Sequence, residues 1–149
     1  MNKVLSFIQR RKWLLLLGAF ILVLALYFFL PRRLERVCLR SQPDALSGVV
    51  VYSMPNGTEK AYKEYPFTQP EELEAFKELL HSSYARPKVF HVDYVNGGYE
   101  GYDFVFYENS AYNGNRVYLF TEEILVINDR QYVLYSGDFA ERLRKLLHE

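Results

Sequence analysis

The hydrophobic pattern divides the chain into two unequal parts. From Trp13 to Leu30 eighteen consecutive residues, WLLLLGAFILVLALYFFL, carry no charge, fenced by Arg10, Arg11 and Lys12 before and by Pro31, Arg32 and Arg33 after. At a rise of about 1.5 Å per residue such a helix covers roughly 27 Å, close to the ~30 Å hydrocarbon core of a bilayer. Beyond it the apolar residues come in short runs with two periods. Gly48 to Met54, GVVVYSM, reads as a strand stopped by Pro55-Asn56-Gly57, where Asn-Gly supplies the positive φ of a tight hairpin. Glu59 to Tyr65 is its more polar partner, ended by Pro66. Thr68-Gln69-Pro70-Glu71 then opens a helix, with a capping threonine three residues before a glutamate and a proline in the first turn. Leu73, Phe76, Leu79 and Leu80 fall on one stripe of it, and Arg86-Pro87 blocks its continuation.

From Lys88 the period becomes two. Val89 to Val95 and Tyr99 to Glu108 flank Asn96-Gly97-Gly98 and predict a hairpin. In its second strand Tyr102, Phe104 and Phe106 share one face, and Asp103, Val105 and Tyr107 the other. Asn109 to Asn115 reads as a loop. Arg116 to Phe120, Ile124 to Asn128 and Gln131 to Tyr135 are three further strands, with a turn at Asn128-Asp129-Arg130. Asp138 caps a final helix whose buried stripe is Phe139, Leu143, Leu146 and Leu147. The order β-β-α-β-β-β-β-β-α, with connections too short for most parallel crossovers, predicts an α+β fold. In it, one N-terminal transmembrane helix precedes a mainly antiparallel β-sheet with two helices packed on one face. The expected organisation is a basic tail at 1–12, an anchor at 13–30, a juxtamembrane linker at 31–47 and a single domain at 48–149.

Charge adds an asymmetry. The chain has 18 Lys and Arg against 18 Asp and Glu, yet residues 1–40 hold eight of the bases and only Glu35 of the acids. The balance is therefore +7 for residues 1–40 and −7 for the remainder. An acidic domain repels phosphates, which argues against nucleic acid as a partner, whereas basic flanks suit anionic headgroups. The short N-terminal tail has four bases and no acid, favouring a cytoplasmic N-terminus and a C-terminal domain outside the cell membrane. A cleaved signal peptide fits less well. Its apolar part is about 7 to 15 residues long and ends in small residues, whereas this run ends in Phe28-Phe29-Leu30-Pro31. The single cysteine, Cys38, follows Glu35-Arg36-Val37, which lacks the small residue of a lipidation site, and reads as an inert thiol.

Residues that carry chemistry are sparse. His91 and Asp93, two apart on a predicted strand, share a face, but two ligands make neither a closed nor a catalytic zinc site. His81 and His148 sit at helix ends, where a cation suits the dipole. Asp93, Glu100, Asp103 and Glu108 match no spaced calcium loop and read as solvated edge charges. Gly97-Gly98-Tyr99-Glu100-Gly101 precedes a strand instead of a helix, unlike a phosphate loop. Asn56-Gly57-Thr58 is a glycosylation triplet already explained as a turn. No nucleophile elbow occurs, so the expectation is a noncatalytic chain with no cofactor and no metal. The excess is in tyrosine: thirteen, twelve of them after residue 41. Tyrosine joins a flat apolar ring to a polar tip, suited to interfaces and to stacking on sugars. Tyr94, Tyr99, Tyr102, Tyr107 and Tyr112, around one hairpin and the loop after it, form the candidate binding surface.

The segments VVVYSMPNG, FTQPEELEAFKELL, GYDFVFYE and RQYVLYSGDFAERLRKLL together resemble a loose group of small uncharacterised domains of Gram-positive bacteria, carried on one membrane anchor or as lipoproteins. The resemblance implies an extracytoplasmic site and a compact α+β fold, and supplies no catalytic residues. Cys38 without a lipidation context favours the transmembrane form. The expectation is a single-pass protein that holds the bilayer through 13–30 and presents a binding or sensing domain to a protein or envelope ligand. The alternatives are a membrane-tethered envelope enzyme using His91 and Asp93 or the hairpin acids, and a cytoplasmic-facing accessory subunit of a membrane complex.

Overall fold

Helix α1, Asn2–Phe29, is continuous because its residues are mostly Leu, Ala, Phe and Ile, with no proline before Pro31. Its last turn closes with Leu30 N–H donating to Leu26 O at 3.0 Å, after which Pro31 disfavours further helix. The stretch Arg11–Phe29 has mean hydropathy 2.3 with none of it buried inside the chain, so α1 is long and apolar enough to cross a membrane. The computed structural model describes residues 2–54, 63–90, 101–135 and 137–149 and divides into two units, Met1–Leu30 and Pro31–Glu149.

The second unit is α+β. In chain order it contains β1 (Arg32–Arg33), α2 (Leu34–Cys38), a 3-10 turn (Pro43–Ala45), β2 (Leu46–Met54), β3 (Lys63–Phe67), α3 (Pro70–Ser82) and β4 (Tyr84–Pro87). There follow β5 (Gly101–Glu108), β6 (Ala111–Tyr112), β7 (Val117–Thr121), β8 (Ile124–Ile127), β9 (Arg130–Leu134) and α4 (Phe139–Leu147). The strands form one sheet in the order β1-β4-β9-β8-β7-β5-β2-β3, with β6 paired to β5. Every pairing is antiparallel.

The period-two face of β5 meets the 3.6-period stripe of α3. Phe76, fully buried, lies 6.2 Å from the Phe104 ring, 6.3 Å from Phe106 and 5.2 Å from Phe67. Leu73, Leu79 and Leu80 of α3 and Phe139, Ala140, Leu143 and Leu147 of α4 join the same core, so both helices cover one face of the sheet. The turns use residues that tolerate positive φ: Asn109 and Ser110 between β5 and β6, and the expected Asn128 and Asp129 between β8 and β9.

Several local expectations are corrected. Residues 31–47 are no free-standing linker: Leu34, Cys38, Leu39 and Leu46 belong to the core. Thr68 does not cap α3, since the helix begins at Pro70 with Gln69 as its N-cap and no side-chain cap bond. Pro66 lies inside β3, tolerated because β3 is an edge strand and loses no ladder bond on its open side. Arg86-Pro87, read as a block, ends β4, which pairs with β1 and β9. The loop 109–115 contains β6. Val89 and Phe90 are not strand residues, and both edges of β5 are taken, by β2 on one side and β7 and β6 on the other. Residues 91–100, including the predicted turn of that hairpin, lie outside the described residues, as do Asn56, Gly57 and Thr58.

Candidate functional site

The odd-numbered side chains of β5 face away from the helices. Register sets Tyr52 of β2 opposite Asp103 of β5, and Asp103 opposite Tyr118 of β7. Because neighbouring strands are about 4.8 Å apart, the carboxylate stands between two tyrosines in one row across the sheet. Val105 extends this floor, Tyr107 pairs with Tyr112 across β5 and β6, and Arg116 precedes Tyr118 by two residues on the same face. Tyr52, Asp103, Val105, Tyr112, Arg116 and Tyr118 line an open cavity of about 530 Å³, to which Asn115 and Asp129 also contribute, while Tyr107 is not among its lining residues. Burial pushes the Asp103 carboxyl above its ordinary value, and the positive charge of Arg116 opposes that rise.

The wall beside Tyr112 and Asn115 is held by a buried polar clamp. Glu108, only 7% exposed, accepts the main-chain N–H of Arg40 at 2.9 Å, that of Ser41 at 2.7 Å and the Asn113 amide at 2.8 Å. Burial alone would raise its pKa, but these donors outweigh it and hold the carboxyl below the usual glutamate value. Asn115 donates to Cys38 O at 2.7 Å and accepts from Arg40 Nε at 3.2 Å and from the Asn128 amide at 3.0 Å. The Arg40 guanidinium lies against Gly114, where φ is +76° and a Cβ would meet Nη2 at 3.2 Å. Tyr112 Oη donates to Asn115 O at 3.2 Å. The amide of Asn115 thus ties Cys38, Arg40 and Asn128 together in the wall.

Of the expected tyrosine surface, Tyr107 and Tyr112 stand side by side and Tyr112 lines the cavity. Tyr102 is on the opposite face, packed against the core, with its hydroxyl donating to Glu149 at 2.9 Å. Tyr94 and Tyr99 lie outside the described residues, as do His91, Asp93 and Glu100. The hairpin acids do not act as one set: Asp103 faces the cavity, whereas Glu108 is buried in the clamp and is not a solvated edge charge. Among the described residues no group of three or more His, Cys, Asp and Glu is placed to hold a metal ion. His81, read as a dipole partner, also bridges Glu35 and Arg33: Nδ1 to Glu35 at 2.9 Å and Nε2 to Arg33 at 2.9 Å. Tyr52, Arg116 and Tyr118 were missed because only strand order gathers them around Asp103. Neither protein-family models, curated proteins nor solved structures yield a match to this chain.

Proposed function

We propose that the protein is a single-pass membrane protein whose residues 31–149 form a noncatalytic binding domain on the outer side of the cell membrane, with the sheet-face cavity as its ligand site. One observation carries the ligand reading: a half-buried carboxylate set between two tyrosines, compensated by Arg116, on a sheet face opposite the core. Such a mixture of aromatic faces and a few fixed polar groups in a cavity of several hundred Å³ is what small-ligand sites share. The anchor reading is supported by α1, and the outward orientation by the four bases and no acid of residues 1–12. The clamp joins the cavity wall to Cys38–Ser41 within the unit Pro31–Glu149.

Alkaline carbonate extraction and surface proteolysis of cells carrying a C-terminal epitope test this. The full chain stays in the membrane pellet, and the epitope is digested without lysis. Release by carbonate, or an epitope protected until lysis, removes the proposal.

A further inference from the structure

The polar inventory of the cavity limits the class of ligand. Asp103 accepts hydrogen bonds, Arg116 donates them, and the tyrosine hydroxyls of Tyr52 and Tyr118 do both. The charged lining is two carboxylates, Asp103 and Asp129, and one guanidinium, Arg116, so an anion is opposed outright and a cation drawn by the carboxylates still meets Arg116 beside Asp103. A neutral ligand with alternating donors and acceptors is opposed by neither. The rings add flat apolar surfaces, which match a ligand whose hydroxyls lie at its rim and whose C–H groups lie on its faces. A pyranose has that form, and a cavity of about 530 Å³ open along the sheet accommodates a short chain of such rings. We propose that the sheet-face cavity binds a neutral saccharide, with tyrosine rings against the sugar's C–H faces and Asp103 and Arg116 on its hydroxyls. This rests on the reading above that the cavity is a ligand site. The half-buried state of Asp103 fits it: a carboxylate partly stripped of water makes strong hydrogen bonds to hydroxyl donors.

The test is calorimetric titration of the full chain in nanodiscs of phosphatidylglycerol and phosphatidylethanolamine, which introduce neither a sugar detergent nor a choline headgroup. The probes are maltotetraose, cellotetraose, tetra-N-acetylchitotetraose and, as a contrasting ligand, tetramethylammonium chloride. One of the saccharides binds saturably at one per chain. Tyr112→Ala weakens it about tenfold, and Asp103→Asn by a similar factor, the loss expected when one stacking ring or one charge-assisted contact is removed. Tyr112 is half-exposed and the asparagine has the shape of the aspartate, so both variants keep the fold, checked by wild-type near-ultraviolet circular dichroism. Silence from all three saccharides overturns the saccharide proposal. If tetramethylammonium binds in that case and Asp103→Asn abolishes it, the cavity is a cation site and the broader reading stands. Saccharide heats untouched by both substitutions place the sugar elsewhere and overturn both readings. Release of reducing ends during the titration overturns the noncatalytic assignment.

Discussion

Truncating Glu108 to alanine removes the acceptor at the centre of the clamp. Three donors lose this acceptor: the main-chain N–H groups of Arg40 and Ser41, and the side-chain amide of Asn113, which keeps Cys38 O at 3.3 Å. A hydrogen bond to a charged group contributes about 1.5–3 kcal/mol, but the three are not additive and the glutamate regains hydration when unfolded. Each buried donor left without an acceptor costs about 1–3 kcal/mol, so after partial relaxation the loss is about 3–5 kcal/mol, a large share of the ~5–15 kcal/mol that holds a domain folded. Glu108→Ala therefore lowers the Tm by about 10–20 °C, read from the near-ultraviolet tyrosine signal of the detergent-solubilised full chain. Glu108→Gln keeps one acceptor oxygen and the side-chain volume, and falls between alanine and wild type. The pH dependence has a fixed sign. Because the folded carboxyl sits below the ordinary value of 4.5, its contribution is complete above that value and is lost as pH falls through the folded pKa. The gap between wild type and Glu108→Gln accordingly narrows as pH falls below the ordinary value of 4.5 and through the lower folded pKa. A Glu108→Ala protein melting within about 2 °C of wild type at pH 7 would refute the clamp as a structural tie.

Three further outcomes follow from particular contacts. Cys38 is 1% exposed and burial pushes its thiol up to about 12, so alkylation at pH 8 proceeds only on unfolding; rapid labelling of the native protein contradicts its burial. Phe76→Ala, at the meeting point of α3 with β3 and β5, destabilises by about 3–5 kcal/mol, and a melt shifted by less than 1 kcal/mol contradicts the packing described. Tyr65 donates to Glu149 at 2.6 Å, and that bond, then burial and the nearby negative charge, pushes its phenol up to about 12. For Tyr102 burial comes first and Glu149 second, to about 12. In a rapid pH jump followed at 295 nm, Glu149→Gln moves the Tyr65 ionisation to lower pH, and an unchanged profile refutes the pairing.

How much of this could be read from the chain differs by element. The apolar run of α1, the stripes of α3 and α4 and the alternation of β5 are local patterns, and each recurs in the structure where periodicity places it. The segment after the anchor was opaque because β1 has two residues and α2 five, too short for any period to register. β4, with sequence YARP, is a strand only because β9 and β1 pair with it, a long-range condition that overrides its local signals. In sequence Glu108 looks like a solvated edge charge and Asn113 and Asn115 like loop residues, and what makes them buried is the return of Cys38–Ser41 from about seventy residues earlier. A local hint existed in NSAYNGN, whose Asn109, Ser110 and Gly114 all adopt positive φ and so mark a shaped turn, not a slack connection. Little of the candidate site was legible in the same sense. Of the tyrosines that the aromatic excess marked, Tyr112 lines the cavity and Tyr107 stands beside it, whereas Tyr52, Asp103 and Tyr118 become a row only through register.

The central claim is that the cavity is presented outside the cell, and Tyr112→Cys measures it directly. Residue 112 is half-exposed at the cavity wall, and Cys38, the only native thiol, is buried and so stays silent as an internal control. On intact cells treated with a membrane-impermeant maleimide, Tyr112→Cys takes up the label while the wild-type chain does not. Label that appears only after the membrane is permeabilised contradicts the account and places the domain and its cavity in the cytoplasm.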